Sequence, residues 1–317
     1  MHCELVVPGL FSGGAARFAS LELLLARGRQ STKASQRLEA WTQEAFELGE
    51  GGFPAGALTL LAAGGDPSEE EWIRADPVHL RVLRDRVVVI PAEAFDLPAE
   101  EARAFCDALN AHFPEMGLNP VQPRRWCARL SGITEERPAL ELAGNEPPAG
   151  EASRLLTELQ MVLHGHRLNE AREARGEPAV NSVWLWGGGR APSASSRWQS
   201  VAADDPAVIG AARLAGARHR ALPRSAAEWL ERLPGEGRHL AVLDVLRLPG
   251  ALEADPSAEK AALERDWFAP LLAALRTGRI GMVTVDVPDG RERVSFETIR
   301  GDLRRFWRLP KSIERYA

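Results

Sequence analysis

Tyrosine and cysteine are scarce: the 317-residue chain has one of the first and three of the second. Cys3, Cys106 and Cys127 are odd in number, far apart and in no C-x-x-C pair. That pattern argues against a disulfide framework and against a zinc site, and it suits a reducing compartment. Long apolar runs are missing too. No stretch approaches the roughly 18 apolar residues of a membrane span. The opening MHCELVVPGLF has no basic region before its short apolar run, so it is not read as a signal peptide. Basic excess is also absent. The net charge is −5 and the pI about 5.9, so no global field draws nucleic acid. The expectation is a cytoplasmic protein without membrane or nucleic-acid partners.

Three catalytic or nucleotide-binding signatures are lacking as well. Gly187-Gly188-Gly189-Arg190 is followed by no Lys-Ser/Thr, so it is not a P-loop, and it does not match G-x-G-x-x-G opening a helix. Ser193, Ser195 and Ser196 come after it, but G-x-S-x-G is absent. Neither internal repeats nor low-complexity tracts occur.

What is there is ordinary globular material, 45% apolar, with 22 prolines and 28 glycines that punctuate apolar runs. Leu5-Val6-Val7 reads as a first strand ended by Pro8-Gly9. Residues 21–27 and 35–48 read as helices, the second with Ser35 as N-cap. Residues 58–62 are apolar, and period alone leaves strand or buried helix open. Glu69-Glu70-Glu71 reads as a solvated first helical turn. A β-β-α-β-β block follows: strands at 78–81 and 87–90, a helix at 99–112, and short segments around Val121 and 126–130. It ends in the loop Asn145-Glu146-Pro147-Pro148.

The second half alternates. Helices are expected at 151–175, 205–216, 225–233 and 257–276. Strands are expected at 182–186, 239–246, 280–286 and 292–296, with a short segment at 218–222. A last helix would place Ile299, Leu303, Phe306 and Trp307 on one apolar stripe. Its Arg304, Arg305 and Arg308 would form a solvated basic face, with no aromatic interleaving to suggest nucleic acid. Alternation of this kind predicts an α/β sheet with helices on both faces. The domain expectation is a discontinuous α/β domain, 1–73 and 150–317, with a smaller α+β lobe, 74–149, inserted.

The most specific stretch runs TELQMVLHGHRLNEAREARGEPAVNSVWLWGGGRAP. His166, Asn169 and Arg172 recur at steps of three, on neighbouring turns of one helical face. The strand 182–186 then ends in a Gly187-Gly188-Gly189-Arg190 loop. Arg offers two parallel donors, and His and Asn add directional ones, so the cluster suits a phosphate or carboxylate. The plainer alternative is that these groups cap helix ends and tie the lobe to the core. The glycine loop either offers backbone N–H groups to an anion beside Arg190 or is a tight turn. Asn181 precedes the strand and joins the same candidate cleft. Arg74, Asp76 and His79 lie around Pro77 where the inserted lobe begins, and the plainer reading of Arg74 and Asp76 is a hinge pair.

The segment from His166 to Gly189 resembles the H-x-x-N-x-x-R-x-x-x-G stretch, strand and glycine turn of archaeal-type cofactor-independent phosphoglycerate mutases, of the alkaline-phosphatase superfamily. With RADPVHLR (Arg74 to Arg81) and DLRRFWR (Asp302 to Arg308) it is similar to the RpfE-type regulatory proteins, an offshoot of that group. The resemblance implies an alkaline-phosphatase-like sheet, a lobe that closes over substrate with Arg74, Asp76 and His79 facing the cleft, and in the mutases a two-metal site with a serine nucleophile. Several of those positions are changed here. The first strand ends in Pro8-Gly9 without a carboxylate. FPAGALTLLAA, before Gly64-Gly65-Asp66-Pro67, holds neither Ser nor Asp. The strand VTVDV keeps Asp286 but has Val287 where a His belongs, and Asp244 stands alone between Leu243 and Val245.

Two divalent ions need several ligands each, and without a nucleophile no phosphoenzyme forms. The expectation is a non-catalytic regulatory or small-anion-binding relative, with no cofactor, acting on a small anionic or phosphorylated ligand or on a partner protein. The alternative is a phosphoglycerate mutase or phosphatase using Mn or Mg through relocated ligands, with Asp244 and Asp286 as its remnants.

Overall fold

The computed structural model describes residues 1–13, 17–34, 37–133, 135–147, 153–247, 255–288 and 292–316. Along the chain, strand β1 (His2–Val6) leads to helix α1 (Ala19–Arg27), strand β2 (Arg29–Ala34) and helix α2 (Leu38–Ala45). A middle segment holds α3 (Ala55–Ala62), β3 (Trp72–Val82), β4 (Val87–Pro91), α4 (Ala99–His112), β5 (Asn119–Gln122) and β6 (Arg125–Arg129). It continues through α5 (Ser153–His164), α6 (Arg167–Ala174) and β7 (Ser182–Gly189). The return carries β8 (Ser200–Ala202), α7 (Pro206–Leu214), β9 (Arg218–Arg220), α8 (Ala226–Arg232) and β10 (Arg238–Val242). After the helices Ser257–Leu263 and Ala269–Thr277 come β11 (Met282–Pro288) and β12 (Glu292–Ile299).

These elements form two compact units, Met1–Leu48 with Ser193–Ala317, and Gly49–Pro192. The boundaries expected from sequence, 73/74 and 149/150, are displaced. Residue 74 lies inside β3, and β7 pairs with β3 from Trp72↔Gly189 to Val78↔Ser182. Helices α5 and α6 therefore fold with the middle segment.

In the first unit a seven-stranded sheet runs β2-β12-β11-β1-β10-β8-β9. Strand β1 lies parallel to both β10 and β11, with Val6 opposite Val242 and Asp286. Its residues from Cys3 on are buried, as befits a central strand covered on both faces. Strands β12 and β2 close one side antiparallel. The core gathers Leu21, Leu24, Phe18, Phe268, Leu271 and Val285. Helix α1 has no capping side chain of its own. Glu264 supplies one, accepting from the backbone N–H groups of Ser20 (2.7 Å) and Leu21 (3.3 Å), where the helix dipole favours a carboxylate. Glu264 also opens a wide turn, Glu264–Phe268, that interrupts the helix expected over 257–276.

In the second unit the sheet runs β4-β3-β6-β5, with β7 on β3. The expected β-β-α-β-β order is present, with β3 longer than its apolar core. The open choice at 58–62 resolves as helix. Helix α3 is buried along most of its length, because it lies directly on the strands. A Cβ at Gly56 would meet the backbone of Ile73 at 2.5 Å, so only glycine permits that approach.

Several local expectations fail for identifiable reasons. Glu69 and Glu70 sit in a turn before β3, and no helix follows. The helix expected over 151–175 breaks at Gly165, and His166 caps a separate α6. The expected strand 239–246 ends at Val242. Arg300–Arg304 forms a single tight turn in place of a last helix. Of its would-be apolar stripe, Phe306 is exposed by 74% and Trp307 by 67%, while Leu303 packs partly buried against the core. Ser35 and Pro148 lie outside the described residues.

Candidate functional site

In the second unit each side chain of the H-x-x-N-x-x-R stretch is engaged by protein groups. His166 caps α6, its Nδ1 accepting from the Leu168 N–H at 3.3 Å, and its ring packs 4.8 Å from Phe105. That packing, with Arg167 nearby, lowers its pKa through desolvation first and charge second. Asn169 is buried. Its amide donates to the carbonyls of Leu163 (2.8 Å) and Val180 (2.9 Å) and its oxygen accepts from Val180 N–H (2.8 Å). Arg172, fully buried, donates to Pro178 O (2.8 Å), Asp96 O (2.7 Å) and Glu101 Oε2 (2.5 Å), and lies over Phe95. Steps of three do put the three groups on one face, and that face clamps α6 to α4 and to the approach of β7.

Arg74 and Asp76 make a second closed network. Arg74 Nε and Nη2 donate to Asp76 Oδ1 at 3.0 and 2.5 Å, and Nη1 reaches Thr59 Oγ1 at 3.3 Å. Trp186 Nε1 donates to Asp76 Oδ2 at 2.8 Å, and the guanidinium lies over the Trp186 ring. With both charges buried, each needs this full set of partners. His79 Nδ1 contacts Ala179 O at 2.9 Å, and Asn181 pairs both ways with the Leu80 backbone at 2.7 and 2.9 Å. Gly187, Gly188 and Gly189 are the end of β7 and not a loop. Gly187 has φ +62°, and a Cβ there would meet Ala55 at 2.5 Å. Gly187 and Gly189 admit the start of α3. Arg190 is exposed, 3.9 Å from Glu71.

The other polar concentration lies in the first unit, at the carboxyl ends of β11, β1 and β10. Ligands of open α/β sheets bind at such an edge. Asp286 ends the register on Val6 and is buried. Arg293, on the facing strand, clamps it with two parallel bonds, Nε to Oδ1 at 2.9 Å and Nη2 to Oδ2 at 2.6 Å. Trp41 Nε1 adds a third at 2.9 Å. Glu44 holds the free side of Arg293 at 3.1 Å. Burial works against the Arg293 charge, but the bonds and charge of Asp286 outweigh it and hold the pKa raised.

Beside it, Arg247 donates to Glu39 Oε1 at 2.8 Å and lies 4.0 Å from Asp205. Desolvation again opposes its charge, and Glu39, Asp205 and Asp244 overcome it, so its pKa is also raised. Asp205 meanwhile caps α7 through Ala207 and Val208 N–H. Trp41, Arg247 and Arg293 escaped the sequence reading. The one available signal was an Arg on the hairpin partner of a strand carrying a lone Asp, within diagonal cross-strand reach.

A pair of divalent ions does not fit this edge. Both oxygens of Asp286 are taken by a guanidinium and an indole. Asp244 follows β10, two strands from Asp286, about 10 Å away by strand spacing alone. Among the described residues no three His, Cys, Asp or Glu side chains converge on one point. One atom points the other way: Glu39 Oε2 is buried without a hydrogen-bond partner.

The fold and this edge define a two-unit, mixed α/β protein with two sheets, in which arginines occupy the polar end of the larger one. Among solved structures it is similar to the PH0037 protein from Pyrococcus horikoshii, with a TM-score of 0.56 at 14% identity over 94% of this chain and 87% of that one. It is also similar to the cofactor-independent phosphoglycerate mutase from Thermoplasma acidophilum DSM 1728, with a TM-score of 0.48 at 17% identity over 99% and 94%. At these identities the likeness is one of fold, and the PH0037 protein carries it. No family model matches the chain, and no curated protein matches it in sequence. Among the described residues no helix is long and apolar enough to cross a membrane.

Proposed function

We propose that the chain is a non-catalytic relative of the cofactor-independent phosphoglycerate mutases, of the RpfE-type regulatory kind, that works by binding and not by phosphoryl transfer. The observation that carries this reading is the Arg293–Asp286–Trp41 clamp. The carboxylate retained at a strand end is neutralised by the protein's own fixed cation, so an incoming divalent ion would have to expel a buried guanidinium. The inward engagement of His166, Asn169 and Arg172 supports a structural role for that stretch, and Arg190 is left as an exposed donor for any small anion there.

Thermal melting with and without Mn²⁺ or Mg²⁺, together with turnover of 3-phosphoglycerate and p-nitrophenyl phosphate, tests the proposal. No metal-dependent stabilisation and no turnover are expected. Metal-dependent turnover abolished by Asp286→Asn would sink it.

A second reading, a metal-dependent phosphomutase or phosphatase with relocated ligands, is favoured by the unpartnered Glu39 Oε2 alone. The same assays distinguish it, since Glu39→Gln would then remove both metal stabilisation and turnover.

A further inference from the structure

We propose that a groove beside the C-terminal segment of the first unit docks an acidic, partly apolar segment of a partner protein. The groove has a volume of about 840 Å³ and runs between the end of α1, the start of β2 and the segment after β12. Its walls carry Arg29, Arg305, Arg308 and Lys311 alongside Trp307 and Leu309. Four cations converge there on a chain whose net charge is −5, so the positive field is local and directed. Two of them are held in place. Arg305 Nη1 donates to Arg27 O at 3.2 Å while its Nη2 pairs with Asp302 at 2.9 Å, and Arg308 Nη1 donates to Gly28 O at 2.9 Å. Each guanidinium has five N–H donors, so both keep donors for a ligand without further ordering. Arg29 and Lys311 have no ion-pair partner among the described residues.

The apolar side of the groove selects the class of ligand. Of the eight large hydrophobic residues exposed among the described ones, four lie between Ile299 and Leu309, and two of these, Trp307 and Leu309, line the groove. Such a concentration marks an interaction surface. A small metabolite would leave these open walls uncovered, since small-molecule sites enclose most of their ligand. Nucleic acid offers bases to stack on Trp307 but no aliphatic groups for Leu309. An acidic peptide with Leu, Phe or Trp side chains satisfies both halves.

The backbone gives a third reason. Arg29 begins β2, the outermost strand of the sheet, whose six residues are all exposed and whose one paired neighbour is β12. An extended segment leaving the groove can add to that edge. The inference does not rest on the loss of catalysis, because an active enzyme could carry the same groove.

Fluorescence anisotropy at physiological salt tests it, using a labelled peptide of alternating Glu and Leu and an oligo-dT of equal charge. The peptide is expected to bind the intact chain, to lose about tenfold or more in affinity to Arg308→Glu/Lys311→Glu, and to lose severalfold to Trp307→Ala. It should also bind more tightly than the oligonucleotide. Should the Arg308 change lower the melting temperature by releasing Gly28, the exposed pair Lys311→Glu/Trp307→Ala takes its place. Absent peptide binding, binding indifferent to these variants, or tighter oligo-dT binding would each overturn the proposal, the last by assigning the groove to nucleic acid.

Discussion

Replacing Arg293 by Met removes the cation from a carboxylate that is 4% exposed and leaves Asp286 with the Trp41 indole as its remaining bond among those described above. The methionine stem fills much of the space, so the loss is electrostatic more than steric. Breaking a buried ion pair by removing one partner costs about 3–5 kcal/mol, because the surviving charge stays desolvated. At roughly 2–4 °C per kcal/mol for units of this size, Arg293→Met should melt about 6–20 °C below the wild-type chain. The double variant Asp286→Asn/Arg293→Met removes the stranded charge and should recover at least half of that loss, since the Asn oxygen still accepts from Trp41. Circular-dichroism melting of the four proteins of the cycle gives the coupling directly. A single variant that melts within about 1 °C of wild type, or a double variant no better than the single, would refute the claim that Arg293 is what keeps Asp286 buried.

Gly56→Ala places a methyl 2.5 Å from three backbone atoms of Ile73 and should destabilise the second unit by about 1–3 kcal/mol or more, read as a lower denaturation midpoint. Asn169→Ala leaves the backbone groups of Leu163 and Val180 without their partner in a buried site, with an expected loss of about 2–4 kcal/mol and faster amide exchange at Val180. The pH dependence follows from His239, which is buried with Ser200 Oγ 2.8 Å from Nδ1 and Gly235 O accepting from Nε2 at 3.0 Å. Desolvation, the largest cause, lowers its pKa below the ordinary 6.5. The unfolded chain therefore binds the proton more readily. Stability from this group is complete above about pH 6.5 and is lost as the pH falls toward the folded-state value. Urea titrations should show that decline as the pH falls below about 6.5, and His239→Gln should flatten it.

Much of the fold was legible because hydropathy period reports burial, and burial follows pleat and helix turn. The order of strands and helices in the middle segment, and the alternation after residue 200, came through on that signal. Pairing across long separations did not. Nothing local in RADPVHLR says that its partner is the strand from Ser182, and so the division between units was misplaced by taking β7 with the wrong sheet. Period also misread the last stripe: Ile299, Phe306 and Trp307 have helical spacing, yet the chain turns sharply at Arg300–Arg304 and leaves them outside. Of the candidate site, the grouping of His166, Asn169 and Arg172 was readable. The direction in which their hydrogen bonds run was not, because an Arg that binds a phosphate and an Arg that binds carbonyls look the same in one dimension. The carboxylate Asp286 stood out by its apolar surroundings, while its counter-charge sits on the antiparallel neighbour β12.

The order of synthesis gives the central strand of the larger sheet an unusual wait. Both neighbours of β1, β10 and β11, arrive from the distant end of the chain, whereas Gly49–Pro192 contains every strand it needs. As the ribosome delivers residues at roughly 5–20 per second, the middle unit can mature while the apolar β1 remains partnerless for the time it takes to make more than two hundred residues. A chaperone that shields the segment around β1 would thus matter more to the yield of this protein than one acting on its middle.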